Sequence, residues 1–164
     1  MRNTAAITRK IFSLDALKAQ VAAWRATGAS IAFTNGVFDL LHQGHIFSIS
    51  QAAAEAQYLI VAVNSDASVK RLKGPGRPVH QQDTRALILA SLLMVDAVII
   101  FEEDTPLQLI TTLLPDVLVK GGDYTVDQIA GAKEVIAHGG RVVINPILPG
   151  ISTSNIIASM QQPG

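Results

Sequence analysis

The chain reads as α/β: a Rossmann-like three-layer α/β/α sandwich on a five-stranded, mainly parallel sheet. Short β-type apolar runs alternate with segments of helical period along its length. That order is expected when each strand is followed by a helix returning the chain to the same sheet. One run, Tyr58–Asn64 (Tyr-Leu-Ile-Val-Ala-Val-Asn), is almost uninterruptedly apolar, as strands covered on both faces are. The unusual residues cluster just after strand runs, where ligands bind in such folds.

Residues 13–26 have helical spacing at Leu14, Leu17, Val21 and Trp24, with Ser13 able to cap and Gly28 able to stop the helix. Ile31–Phe38 is a buried strand and Ile46–Ala56 an alanine-rich helix. Tyr58–Asn64 is the second strand. Residues 65–83 form a long polar loop around Gly74-Pro75-Gly76, which suits no regular structure. Thr84–Met94 is a helix, Ala97–Phe101 a strand, and Pro106–Leu114 a helix with proline in its first turn. Val117–Lys120 is a short strand, Val126–His138 a helix and Arg141–Asn145 the fifth strand. A last helix starts near Thr153. No internal repeat or linker divides the chain, so residues 1–164 are expected to form one domain, with residues 1–12 a flexible N-terminal segment.

Length and composition narrow the function classes. The 164 residues suffice for a proper core, and 49% hydrophobic against 16% charged residues describes a globular protein. A formal net charge of zero lacks the basic excess of a general nucleic-acid binder. The absence of cysteine removes disulfides, thiolate catalysis and cysteine-ligated zinc. No apolar run is long enough to span a bilayer, and no signal-peptide core follows Arg2, Arg9 and Lys10. A cytoplasmic protein without membrane or nucleic-acid partners fits these facts.

Four constellations carry chemistry. The first is Thr34-Asn35-Gly36-Val37-Phe38-Asp39-Leu40-Leu41-His42-Gln43-Gly44-His45. A strand enters a glycine-containing turn, and two histidines flank a glycine where a helix would begin. Such a turn aims backbone N–H groups at an anion, and the helix N-terminus adds positive potential. Histidines three apart share a helix face and can reach one anion. Phosphoryl and nucleotidyl transfer need such positioning and such donors.

The second is Lys70-Arg71-Leu72-Lys73-Gly74-Pro75-Gly76-Arg77-Pro78. Four of the chain's 13 cationic residues fall within eight positions there, and Arg85 follows. This is a local field suited to an anion, in a loop whose glycines and prolines would let it close over a ligand; a solvated basic loop has the same composition. The third is Val119-Lys120-Gly121-Gly122-Asp123-Tyr124, which suits a phosphate and a ribose or base, or equally a turn with a structural aspartate. The fourth is Gly150-Ile151-Ser152-Thr153-Ser154-Asn155, a second phosphate site or ordinary helix capping. Glu102-Glu103-Asp104 reads as helix-start carboxylates, His80 and His138 lack partners at ligand spacing, and no protein metal site is expected.

Asp39-Leu40-Leu41-His42-Gln43-Gly44-His45 resembles the His-x-Gly-His signature of the cytidylyltransferase-like nucleotidyltransferases, and Ile151-Ser152-Thr153-Ser154 their C-terminal signature. Val61–Asp66, Arg71–Gly74, Arg77–Val79, Phe101–Pro106, Val119–Tyr124 and Ile129–Val135 resemble one branch, the heptose 1-phosphate adenylyltransferases, over about residues 30 to 158. The resemblance implies transfer of AMP from ATP to D-glycero-β-D-manno-heptose 1-phosphate. The products would be pyrophosphate and ADP-heptose for the lipopolysaccharide inner core. With no room for the sugar-kinase half that often accompanies this domain, the chain resembles a stand-alone form.

The resemblance also implies residue roles. His42, His45 and Lys73 would be catalytic. Gly36, Phe38, His42, His45, Lys120, Asp123, Ile151, Thr153 and Ser154 would hold the nucleotide, and Lys73, Arg77 and Arg85 the substrate phosphate. Mg²⁺ would travel with ATP, bound mainly by phosphates and water. Family members are commonly homodimers, and the apolar helix Leu87–Met94 suits an interface as well as a core. The alternative enzyme is a cytidylyltransferase acting on a small polyol phosphate such as glycerol 3-phosphate. Against it stand Ile147-Leu148-Pro149 and Gly121-Gly122-Asp123-Tyr124, where that branch carries Arg-Thr-Glu and Gly-Asp-Asp-Trp. A binding module without turnover is the other class; both histidines, Lys73 and the serine cluster argue against such decay.

Overall fold

The protein is described from a computed structural model covering residues 5–146 together with Thr153 and Ile157. Strands β1 (Ile31–Gly36), β2 (Tyr58–Asn64), β3 (Ala97–Phe101), β4 (Val117–Gly121) and β5 (Arg141–Asn145) form one sheet in the order β3-β2-β1-β4-β5. Every pairing is parallel. Helices α1 (Ala5–Thr8), α2 (Leu14–Ala26), α3 (Gln43–Ala53), α4 (Asp66–Lys73), α5 (Gln82–Ala90), α6 (Leu107–Leu113) and α7 (Ala132–Ala137) supply the crossovers and flanks. The α/β fold expected from the alternation is the fold observed.

Strand side chains alternate between two cores. Ile31 and Phe33 of β1 join Leu17, Val21 and Trp24 of α2 and Ile110 of α6 on one face. Ala32, Val61 and Val63 join Ile49 of α3 and Leu89 of α5 on the other. The first core is extended at its margin by Trp24 stacking on Tyr58, with ring centroids 4.3 Å apart. At the strand starts, Asp116 Oδ2 accepts the Ile31 N–H and Asp96 Oδ2 the Leu59 N–H, each at 2.8 Å. These carboxylates close the amino-terminal end of the sheet and leave the opposite end for ligands.

Three expectations are corrected, and a fourth stretch is placed. The polar stretch 65–83 contains helix α4, capped by Ser65, whose side chain accepts the Ser68 N–H at 3.1 Å. Asp66 in its first turn and Lys70, Arg71 and Lys73 in its last complement the helix dipole. The helix expected over 126–138 is two pieces, a 3₁₀ turn (Val126–Gln128) and α7, separated at Gly131 with φ +85°. Residues 5–12 are not a loose segment. Ile11 bridges Val98 of β3, flanked by Phe12 N–H to Val98 O at 2.9 Å and Val98 N–H to Lys10 O at 2.7 Å. Finally, much of the apolar 87–94 stretch serves the core, with Leu89 and Ala90 buried; Leu87 and Leu93 remain exposed.

Gly131 has both a left-handed backbone and no room, since a Cβ there would lie 2.5 Å from Ile110 Cγ2. Gly131→Ala is expected to destabilise the domain by about 2–3 kcal/mol through strain and overpacking. A urea titration read by Trp24 fluorescence would measure it.

Candidate active site

The strand order reverses at β1, which has β2 on one side and β4 on the other. Crevices beyond the carboxyl ends of strands at such a reversal are the binding places of open α/β sheets. The chain leaves β1 through a turn in which Phe38 and Leu40 have φ of 50° and 45°. Non-glycine residues hold that conformation only where surroundings enforce it.

Asp39, between them, provides the enforcement. Its side chain is fully buried. Oδ2 accepts from Arg77 Nε at 2.8 Å and from the Val79 N–H at 2.8 Å, and Oδ1 from the His80 N–H at 3.0 Å. Its backbone carbonyl accepts from the Thr153 hydroxyl at 2.7 Å. Burial pushes this carboxyl's pKa up, but the two backbone donors and the Arg77 guanidinium outweigh it and hold it below its ordinary value. One carboxylate thus joins the turn to the glycine–proline loop, and its own carbonyl joins the turn to Thr153. The loop expected to close over a ligand is pinned at its far half.

The histidine pair also departs from two neighbours on a helix face. His42 is the N-cap of α3, with extended backbone, and its Nδ1 accepts the Gly44 N–H at 3.1 Å. His45 Nδ1 reaches back to the His42 N–H at 3.4 Å, completing a capping box. The rings stack with centroids 3.9 Å apart, and Phe38 meets His45 edge-on at 5.5 Å. Burial lowers the pKa of His42; burial, with His42 as neighbour and against the opposing Asp39, pushes His45 down to about 4. Both imidazoles are therefore neutral at pH 7. With Nδ1 accepting, the proton sits on Nε2, so each offers one N–H donor.

Lys120, near the end of β4, supplies a cation. Its Nζ donates to Asn35 Oδ1 at 3.3 Å and lies 5.7 Å from the Tyr124 ring centroid. Burial lowers its pKa. No carboxylate pairs with it among the described residues, which suits it to an incoming anion.

Three cavities run side by side along this sheet edge. The central one, about 320 Å³, is lined by Asn35, Gly36, Phe38, His42, His45, Lys120 and Thr153, among others. A basic cavity of about 260 Å³ adjoins it through Val37, Phe38, His45 and Thr153 and adds Asp39, Lys73 and Arg77. A side cavity of about 180 Å³ adjoins it through Asn35, Lys120 and Tyr124.

Of the residues singled out from sequence, Gly36, Phe38, His42, His45, Lys73, Arg77, Lys120 and Thr153 converge on the central and basic cavities. The ring of Phe38 covers Gly36, where a Cβ would stand 3.1 Å from it. Asp123 is exposed, and neighbouring Tyr124 takes the place on the wall. Ile151 and Ser154 lie outside the described residues. Arg85 requires correction. Its side chain is wholly buried, with Nε donating to His80 O at 2.9 Å, one terminal nitrogen to Val37 O at 2.7 Å and the other to Asp66 Oδ1 at 2.8 Å. It staples the turn to the loop and α4 and has no face for a substrate phosphate. Arg71 is likewise engaged, at 2.8 Å from Asp104. Asp39 carried no periodic or compositional signal beyond its place inside the histidine motif.

The fold and site together define a nucleotide-binding α/β domain of the nucleotidyltransferase class. The chain matches the cytidylyltransferase-like family over residues 33–159 and belongs to it. It is 53% identical over 154 residues to the bifunctional protein HldE of Caulobacter sp. (strain K31), covering 94% of this chain and 32% of that protein. It is 55% identical over 148 residues to the bifunctional protein HldE of Hyphomonas neptunium, covering 90% of this chain and 30% of that one. It thus spans about a third of the length of the curated relatives it matches. A solved lipopolysaccharide core biosynthesis protein from Thermoplasma volcanium superposes with a TM-score of 0.59 at 27% identity, over 74% of this chain and 98% of that one. The pantoate–β-alanine ligase of Francisella tularensis, solved with an ATP form and β-alanine, shares the fold at 15% identity and a TM-score of 0.59, over 93% of this chain and 79% of that one. Among the described residues no helix is long and apolar enough to cross a membrane.

Two outcomes follow from the site's electrostatics. Arg85→Met should cost about 3 kcal/mol, because it leaves two carbonyls and Asp66 without their donor; urea unfolding would register it. His45 has a folded pKa of about 4, below its ordinary 6.5, so the unfolded chain binds the proton first. Its contribution is complete above pH 6.5 and is lost as pH falls toward 4. A plot of melting temperature against pH should flatten across that window in His45→Asn.

Proposed function

We propose that this chain is a single nucleotidyltransferase domain that transfers AMP from ATP to a sugar 1-phosphate, D-glycero-β-D-manno-heptose 1-phosphate, giving ADP-heptose and pyrophosphate. The observation that carries this reading is the convergence of two neutral histidine N–H donors with Lys73, Lys120 and Thr153 on two adjoining cavities. The identity of 53% and 55% to two HldE proteins supports this reading, and the sugar is the one that the sequence resemblance implies. The product would serve the lipopolysaccharide inner core, and the cytoplasm, where ATP is available, is the working place.

An oxygen of the sugar's phosphate attacks the α-phosphorus of ATP in line. The new O–P bond forms as the bond from the α-phosphorus to the oxygen bridging the β-phosphorus breaks, and pyrophosphate takes that electron pair. The second pKa of a phosphate monoester is near 6, so the nucleophile is already ionised at neutral pH and needs no general base. The protein's task is to gather anions and stabilise charge as it develops. His42 and His45 donate from Nε2 to the triphosphate. Lys73, at the exposed end of α4, reaches in to bridge the α-phosphate and the incoming phosphate. Thr153, with Ser154, holds the outer phosphates, while Arg77 lines the same basic end. Gly36 and Phe38 floor the nucleotide, and Lys120 and Ile151 border its ribose and base, with Tyr124 on the wall where Asp123 was expected.

Among the described residues no group of three His, Asp or Glu side chains could hold a metal. Mg²⁺ would be carried mainly by phosphate oxygens and water, where it neutralises charge. Pairing of two copies through the exposed Leu87 and Leu93 is the homodimer this reading accommodates.

The test is pyrophosphate release in Mg²⁺ buffer, offering ATP or CTP against heptose 1-phosphate and glycerol 3-phosphate. Release confined to ATP with the heptose phosphate is expected; release with CTP and glycerol 3-phosphate would move the chain to the cytidylyltransferases. Silence in every combination would leave a binding module. In the active combination His45→Ala should lower kcat by roughly 100- to 1000-fold. Near-normal turnover in the folded variant would remove His45 from catalysis.

A further inference from the structure

We propose that Arg71 is a positioning residue for Lys73: it fastens the last turn of α4 to residues 102–104, between β3 and α6, and so sets the direction in which the lysine extends over the basic cavity. This rests on the bridging role given to Lys73 above. Lys73 lines that cavity beside Arg77, His45 and Thr153. It is exposed, and among the described residues no carboxylate pairs with it. A lysine is a flexible four-carbon stem ending in a point charge. With no carboxylate to grip the ammonium, the stem takes its starting direction from the helix that carries it.

The hold on α4 thins along its length. At its start Ser65 caps it, the Asp66 N–H donates to Gln82 Oε1 at 2.9 Å, and Asp66 Oδ1 accepts from Arg85 at 2.8 Å. In its middle Ser68 and Val69 are buried. The Ser68 hydroxyl accepts from Asn64 Nδ2 at 3.0 Å and donates to Glu103 O at 3.1 Å. In the last turn Lys70, Arg71, Leu72 and Lys73 are all exposed. There Arg71 makes the lateral connection: Nε donates to Asp104 Oδ1 at 2.8 Å and a terminal nitrogen to Glu102 O.

Ser68 and Arg71 are three apart and share a helix face, and both bond to residues 102–104. Lys73, two positions beyond Arg71, lies on the opposite side, where the basic cavity is. A terminal helical turn without buried apolar contacts opens readily. A guanidinium fork that holds a carbonyl and a carboxylate together fixes orientation as well as distance. The Arg71–Asp104 pair is half exposed on both sides, so it contributes little to global stability. Its effect is local order, and in-line transfer is sensitive to a small misplacement of a group that touches the reacting phosphates.

Two measurements test this. The chain has no cysteine, so Lys73→Cys gives one attachment point for a nitroxide, whose mobility is read by electron spin resonance in the ligand-free protein. Adding Arg71→Ala should raise that mobility. Adding Lys70→Ala, which removes an equal charge from the same turn, should not. Equal mobility with and without Arg71 would overturn the proposal whatever reaction the protein performs. The second measurement is pyrophosphate release from ATP with the heptose 1-phosphate. Arg71→Ala should lower kcat by about 10- to 100-fold, the range for a small misplacement of a reacting group, with the loss in kcat and not in either KM. Arg71→Lys should recover only part of it, since an ammonium lacks the fork. In a Lys73→Ala background Arg71→Ala should lower kcat by no more than about two-fold, because nothing remains for it to aim. The full loss repeated in that background would overturn the proposal. Failure of the wild type to release pyrophosphate with this pair would remove the transferase reading, and the nitroxide result alone would then decide whether Arg71 orders the turn.

Discussion

The site depends on a single buried anion. The Asp39 carboxylate gathers Arg77 and two backbone N–H groups from a segment about 40 positions away, and its carbonyl takes the hydroxyl of Thr153, 114 positions away. A carboxylate is tolerated at such depth only when charge-assisted donors replace its lost water. Those donors are what bring the separate pieces of the phosphate-facing surface together. The left-handed Phe38 and Leu40 on either side are held by the same contacts. Arg85 repeats the device from the opposite sign, a buried cation gathering two carbonyls and a carboxylate.

This arrangement separates organisation from binding. Arg77 shares its guanidinium with an internal carboxylate and Arg85 is wholly internal. The histidines are neutral donors, and Lys120 is a cation whose charge is discouraged by burial. A surface of this kind offers directed N–H groups to a polyanion without a dense field of exposed cations. It is also consistent with a chain of zero net charge.

Much of the architecture was legible because periodicity and burial speak the same language. The continuous apolar run of β2 and the turn after β1 announced a parallel sheet and a place for an anion. Helix α4 was not legible because its sequence is polar, with only Ser68 and Val69 buried, and the turn residues beginning at Gly74 drew the eye. Arg85 was misassigned for a related reason. A lone arginine near other cations looks like a ligand contact until a fold supplies Asp66, Val37 and His80 as partners. Asp39 is the converse, a residue whose importance consists of contacts made at long range. No local pattern encodes those, whereas the histidine pair sits inside one short turn and could be read there.

The two outer edges of the sheet are unlike. Beside β3, the Ile11 bridge occupies both backbone groups of Val98 in mid-strand. Beside β5, among the described residues, no further strand pairs. An unpaired edge is a template for another chain, whereas a covered one is not. Among the described residues β5 is thus the more open edge for copies joining edge to edge, and there a two-fold axis would close the assembly at a pair. With both backbone groups of Val98 taken, the short N-terminal strap obstructs the β3 edge and so opposes growth of the sheet on that side.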